Sequence, residues 1–184
     1  ITRLQCCPPT CGAAAVVVVS KAFAERRGLR ADVAIRAQAM TTDLRDCFEG
    51  DLTAAVGAPM AKLAADRVYA ASGVDPADIR VVELHDCFTS NEILSYEALG
   101  LAPVGGAERM ILDGDNTFGG RHVVNPSGGL LSKGHPLGAT GLAQCYELVH
   151  QLRGTAGPRQ VEDAGLALQH NLGLGGACVV TLYE

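Results

Sequence analysis

Tryptophan is absent from this 184-residue chain, and aromatic residues make up only 4% of it. A core without large rings has to be built from Ala, Val and Leu, which suits helices packed closely on a sheet. No apolar run is long enough to cross a membrane; the longest, Ala13 to Val19, has the length of a strand. No block of Lys or Arg occurs and the net charge is −5, so a nucleic-acid role has no electrostatic support. Regular cysteine spacing is also lacking. The seven cysteines are an odd number, and no second pair joins Cys6, Cys7 and Cys11 at zinc-site spacing. Such usage fits a reduced, intracellular compartment better than a disulfide framework or a metal site. Neither an initiator Met nor a signal peptide precedes Ile1, so the sequence reads as an excised or incomplete piece.

What is present is a globular composition, 48% hydrophobic and 19% charged, enough for one domain. Val16 to Val19 reads as a strand buried on both faces. Ser20 to Arg27 reads as a helix stopped by Gly28, and Asp32 to Ala39 as a second strand. Met60, Ala64, Val68 and Ala71 recur at helical spacing and predict a helix from Pro59 to Ser72, ended by Gly73. After the Asp75-Pro76 turn, Ile79 to Leu84 predicts a strand. A helix follows the next four residues, with Thr89 and Glu92 in capping-box relation and Gly100 as its close. Residues 102–134 read as a long loop region rich in Gly, Pro, Asp and Asn. A helix from Leu142 to Leu152 and two strands, Leu166 to Gln169 and Ala177 to Tyr183, complete the pattern around a Gly173–Gly176 turn.

Three segments carry candidate chemistry. The octad from Gly134 to Gly141 sets His135 between Gly134 and Pro136, and a histidine on a rigid turn suits proton transfer near neutral pH. From spacing alone, a loop histidine before a helix is an equal alternative. The tetrad His85-Asp86-Cys87-Phe88 falls at the carboxyl end of a strand, where open α/β folds collect ligands. Cys87 then stands near a helix N-terminus, which is expected to lower its pKa; a buried structural thiol is the competing reading. The stretch from His170 to Gly176 offers backbone N–H groups as an oxyanion site, or else a plain hairpin. Cys145 and Cys178 read as core residues, and His122 and His150 as surface residues.

Taken together and in this order, these segments resemble the thiolase family. Gly134 to Gly141 is similar to the thiolase histidine motif in full. Gly12-Ala13-Ala14-Ala15 resembles the stretch opening the last strand of the N-terminal half, and Asn125-Pro126-Ser127-Gly128-Gly129 the stretch before the histidine motif. Most thiolases have Asn-Glu-Ala-Phe where this chain has His85-Asp86-Cys87-Phe88, and Cys-x-Gly where it has Asn171-Leu172-Gly173. That exchange marks a resemblance to the sterol-carrier-protein-type thiolases over essentially the whole chain.

The resemblance implies an α/β fold, one half of the layered thiolase architecture, as a mixed sheet flanked by helices on both faces. Residues 1–28 correspond to the last strand and helix of the N-terminal half and residues 29–184 to the C-terminal domain. The implied activity is an acyltransferase: thiolytic cleavage of 3-ketoacyl-CoA with branched or sterol-derived chains. His135 acts as the base, Cys87 as the acid, His85 with His135 as one oxyanion hole, and the Gly173 N–H in a second. Coenzyme A thioester is the substrate, with no permanently bound cofactor and no metal. The nucleophilic Cys belongs to the missing N-terminal half, and Cys6, Cys7 and Cys11 do not take its place. The chain alone is therefore expected to be inactive, and the complete enzyme to be a homodimer. A steroid side-chain retro-aldolase and a non-catalytic partner subunit are the alternatives. The compartment implied is cytoplasmic for a bacterium and peroxisomal for a eukaryote.

Overall fold

The computed structural model describes residues 1–49, 52–173 and 176–184. Two of its helices end on the left-handed glycines that ordinarily close helices. In α1 (Lys21–Arg27) the Ser20 side chain accepts from the Phe23 amide, and Gly28 closes the helix at a left-handed φ of 61°. The strand β1 (Ile35–Thr41) starts three residues later than its sequence suggests. The short α2 (Leu52–Ala55) leads into α3 (Ala58–Ser72), which carries a Pro in its first turn and ends on Gly73. A single 3-10 turn, Pro76–Asp78, precedes β2 (Val81–Glu83). Then come α4 (Thr89–Ala98), α5 (Ala107–Leu112), β3 (Val123–Val124), α6 (Gly129–Lys133) and α7 (Thr140–Leu152). The chain closes with β4 (Ala167–Gly173) and β5 (Ala177–Tyr183).

The strands form one mixed sheet in the order β1-β5-β4-β2-β3. β2 runs parallel to both β3 and β4, whereas β5 is antiparallel to β4 and β1. One face packs on α3 and α4 through Val82, Leu84, Leu168, Leu172, Val180 and Leu182. Val81, Val123, Ala167 and Tyr183 meet Leu148 of α7 on the other face. The expected α/β class, a mixed sheet flanked by helices on both faces, is therefore what the chain adopts. No helix among the described residues is long and apolar enough to cross a membrane.

Four local expectations do not hold. Val16 to Val19 forms no strand, and Val17 and Val18 are 90% and 74% exposed. A β-branched run becomes a buried strand only beside partners that take up its N–H and C=O groups, and no described strand lies against it. The capping box of α4 is not made, because Thr89 is already helical and Glu92 accepts instead from the Tyr96 hydroxyl at 2.5 Å. The supposed long loop contains α5, β3 and α6. His122 is 2% exposed rather than superficial, since its Nδ1 pairs with the Ile79 carbonyl at 2.7 Å. His150 is half-buried against Thr155, and Cys178 is fully buried as expected. Within the expected Gly173–Gly176 turn, residues 174 and 175 lie outside the described residues.

Candidate active site

Because β2, β3 and β4 are parallel, their carboxyl ends share one edge of the sheet; two of the three candidate segments leave from that edge, and the His135 octad reaches it after α6. The tetrad His85 to Phe88 follows β2. Asn125 follows β3 at a left-handed φ of 50°, accepting the Leu84 amide on its Oδ1 at 2.8 Å. His170, Asn171 and Gly173 belong to the end of β4. The His85 and His135 rings meet edge to face with centroids 4.9 Å apart. Two residues 50 positions apart in the chain are thereby brought into one site.

Asp86 fastens the two loops together. Its Oδ1 accepts the Leu130 amide at 2.7 Å and its Oδ2 the Leu131 amide at 3.2 Å, so the first turn of α6 is held to the tetrad. The close approach needs a glycine: a Cβ on Gly129, which sits at φ +59°, would stand 2.2 Å from Asp86 Oδ2. A second brace comes from Glu83, which is fully buried. It accepts from the Ser127 amide at 3.1 Å, the Ser127 hydroxyl at 2.8 Å and Lys133 Nζ at 3.5 Å. Both ends of α6 are thus tied to β2, immediately before His135. Lys133 also donates to the Ser127 hydroxyl.

The N-terminal segment lies across both loops. Cys6 bridges Phe88, the Cys7 amide donates to the Cys87 carbonyl at 2.9 Å, and the His135 amide donates to the Pro8 carbonyl at 3.4 Å. Cys7 and Cys87 stand directly opposite each other in this antiparallel contact. Cys7 was set aside on sequence grounds with Cys6 and Cys11, yet its backbone touches that of the candidate acid.

Burial dominates the electrostatics. Desolvation, helped by the neighbouring His135, lowers the pKa of His85 to about 4. The same desolvation lowers His135, against an opposing pull from Asp86. His170, fully buried, is lowered to about 3 and accepts the His85 amide on its Nδ1 at 3.4 Å. All three imidazoles are therefore neutral near pH 7. The helix-terminus expectation for Cys87 is overturned: burial, and then the nearby Cys7, push its thiol up to about 11. The first turn of α4 does not offset the loss of water. Gly173 lies at the tip of β4, on a cleft of about 190 Å³ lined also by Phe48, Ala55, Val56, Met60 and Leu172.

The thiolase C-terminal domain-like family matches residues 49–182. This chain belongs to that family. The chain is 59% identical over 186 residues to sterol carrier protein 2 of Homo sapiens, covering all of this chain and 34% of that protein. It is 40% identical over 189 residues to an acetyl-CoA acetyltransferase of Methanothermobacter thermautotrophicus, covering 99% of this chain and 47% of that protein. Among solved structures, the Ltp2-ChsH2(DUF35) aldolase matches with a TM-score of 0.69 and 28% identity over 81% of this chain and 39% of that chain. The chain spans about a third of the length of the sterol carrier protein 2 relatives it matches.

Sequence reasoning singled out His85, Cys87, His135 and Gly173 but not the residues that hold them. Asp86 and Asn171 lay inside motifs already noted. Glu83 and Gln144 were missed. A signal for Gln144 existed: Thr140, Gln144, Glu147 and Gln151 recur at helical spacing along α7, and all four are buried.

Proposed function

We propose that this chain supplies the C-terminal half of a thiolase active site that cleaves 3-ketoacyl-CoA carrying branched or sterol-derived chains. The observation carrying the reading is the pair of neutral, mutually packed imidazoles, His85 and His135, at the strand-end edge that also carries Cys87 two residues after His85. A neutral His135 can take the proton of a nucleophilic Cys held by the N-terminal half. The thiolate then attacks the ketone carbon, the bond between the α- and β-carbons breaks, and the acyl group stays on that sulfur. The enolate of the departing acetyl- or propanoyl-CoA takes its proton from Cys87. A thiol raised to about 11 is protonated at neutral pH and so is ready to donate. Ring N–H groups of His85 and His135 would hold the thioester oxygen as charge develops, and the Gly173 N–H the oxygen beside the nucleophile. Preorganised donors of this kind are each worth roughly 3 kcal/mol. Coenzyme A then accepts the acyl group. In the synthetic direction Cys87 removes the α-proton, and in the complete enzyme two copies would associate.

Within this reading the chain alone is inactive, because acyl transfer requires a thiolate beside His135 as well as the acid. The test is loss of acetoacetyl-CoA in the presence of free CoA, first with the chain alone and then with an added N-terminal half. Activity restored by the added half, and abolished by His135→Ala, is expected. Turnover by the chain alone that His135→Ala abolishes would place the nucleophile among Cys6, Cys7 and Cys11 and refute the assignment. Deuterium exchange at the α-carbon of acetyl-CoA should be lost in Cys87→Ala, and full exchange in that variant would remove Cys87 from its role.

The likeness to the aldolase structure favours a second reading, cleavage of a hydroxylated side chain by retro-aldol chemistry. That reaction needs no acyl-cysteine. Product formation independent of CoA and insensitive to Cys87→Ala would select it. Activity in neither assay, with binding of the added half intact, would select a non-catalytic partner subunit.

A further inference from the structure

The N-terminal segment meets the tetrad as one arm of an antiparallel bridge. Cys6 pairs with Phe88, and the Cys7 amide donates to the Cys87 carbonyl at 2.9 Å. That register sets Cys7 directly opposite Cys87. Opposed residues of an antiparallel pair send their side chains to the same face, and their Cα atoms ordinarily stand about 5.5 Å apart across a hydrogen-bonded pair. Disulfides bridge Cα separations of about 4.4–6.8 Å, so the backbone already holds the two thiols at bridging distance. Neighbouring thiols are placed elsewhere. Cys6 alternates to the opposite face, where its Sγ donates to the Thr2 carbonyl at 3.4 Å. Cys11 lies beyond the contact of Pro9 with His135. Cys7 and Cys87 are both free and only partly buried, so a small oxidant reaches them. Their bridge is isolated and lies outside the five-stranded sheet, so drawing the two side chains together breaks no strand pairing.

We propose that Cys7 and Cys87 form a reversible redox pair, closed to a disulfide by hydrogen peroxide and reopened by a dithiol. The consequence for catalysis rests on the reading of Cys87 as the acid: a sulfur held in a disulfide carries no proton, so closure removes the donor that the departing enolate needs. In the closing step the Cys7 thiolate attacks one peroxide oxygen and the O–O bond breaks. Cys7 becomes a sulfenic acid, and the departing hydroxide takes up a proton as water. The Cys87 sulfur then displaces the sulfenic oxygen, which leaves as a second water. Two thiols are oxidised to one disulfide, and one peroxide is reduced to two waters. Burial raises both thiols, Cys87 to about 11, which leaves Cys7 the better attacking group and makes closure faster as pH rises. In a reducing compartment a disulfide of this kind is transient and sensing rather than structural.

The test maps the bond directly. The reduced, folded chain is treated with hydrogen peroxide, remaining thiols are blocked, and the peptides are analysed by mass spectrometry without reduction. A peptide pair linked through Cys7 and Cys87 is expected, and dithiothreitol should separate it. Cys6→Ser should keep that link, and Cys7→Ser should abolish it. A link from Cys87 to Cys6 or Cys11 instead, or oxidation of Cys7 or Cys87 to a sulfinic acid with no link, would overturn the proposal. So would a chain whose Cys7 and Cys87 both stay reduced while exposed Cys11 is oxidised. In the complete enzyme, closure should reduce deuterium exchange at the α-carbon of acetyl-CoA to background, and dithiothreitol should restore it. A Cys7–Cys87 link that forms while exchange continues would leave the redox pair standing and count against the acid role of Cys87 alone.

Discussion

Asp86 offers the sharpest test of how the site is assembled. Its two oxygens each take one amide of the first turn of α6, Leu130 at 2.7 Å and Leu131 at 3.2 Å. Replacement by Ala leaves both donors without that partner. Leu130 is fully buried, so its amide cannot turn to water; Leu131 is half-buried, and its amide recovers part of the loss. At roughly 1–3 kcal/mol for each buried unsatisfied group, Asp86→Ala should cost roughly 2–5 kcal/mol. Asp86→Asn keeps one acceptor and turns an NH₂ toward the other amide, so it should cost roughly half as much. Urea denaturation followed by circular dichroism gives the two free energies. Hydrogen exchange at the Leu130 and Leu131 amides locates the damage, which should be concentrated in α6 and the His135 loop. A cost below about 1 kcal/mol for Asp86→Ala, or unchanged protection at Leu130, would show that α6 is held by something other than this carboxylate.

Gly129→Ala attacks the same joint from the other side. The new Cβ at 2.2 Å from Asp86 Oδ2 and the positive φ of 59° should lower the melting temperature at least as much as Asp86→Asn, and an unshifted transition would contradict the geometry. Acid should also destabilise the chain. His85 and His170 titrate in the fold at about 4 and about 3, below the ordinary value of 6.5, so the unfolded chain binds more protons as pH falls. Their contribution is complete above about pH 6.5 and is lost toward pH 4, at up to about 1.4 kcal/mol per pH unit for each group. Glu83 and Asp86, raised by burial, act with the opposite sign, losing stability as pH rises through their range. Urea midpoints between pH 7.5 and 4.5 should therefore fall less in His170→Asn than in the parent, and equal slopes would refute the assignment. Cys178→Ala should reduce stability without changing α-carbon exchange in the complete enzyme, since its sulfur is fully buried in the core; reduced exchange at equal stability would refute that.

Much of the frame is legible in the sequence wherever local chemistry decides the outcome. Ser20 and Gly28 mark the ends of α1, Gly73 stops α3, and the apolar run before His85 announces β2. The elements that escape a sequence reading are those whose evidence lies elsewhere in the chain. Val16 to Val19 has the composition of a strand, but a strand exists only with a partner. α6 opens on Gly128 and Gly129, which read as loop although their positive φ values are what bring the helix onto Asp86. His122 looks superficial until the Ile79 carbonyl, 43 residues away, is placed beside it. At the site, residue types with an obvious chemistry stood out, whereas the uncharged Gln144 did not. The Cys87 thiol illustrates a contest between two effects: its place at the start of α4 pulls the pKa down, burial pushes it up, and only the packed structure reveals that burial wins.

The hydrogen bonds that join Gln169 and Asn171 of β4 to Gln144 of α7 have a consequence for the conditions under which that contact keeps its shape. From Tyr183 through Gln169, Gln144 and Asn171, every link is a dipole rather than an ion. Ionic strength weakens attractions between exposed charges, but it has little purchase on buried neutral groups. Between about pH 5 and pH 9 none of these four side chains gains or loses a proton. The flank held by the buried carboxyls Asp86 and Glu83 therefore responds to pH, while the contact between β4 and α7 stays the same in dilute buffer and in concentrated salt.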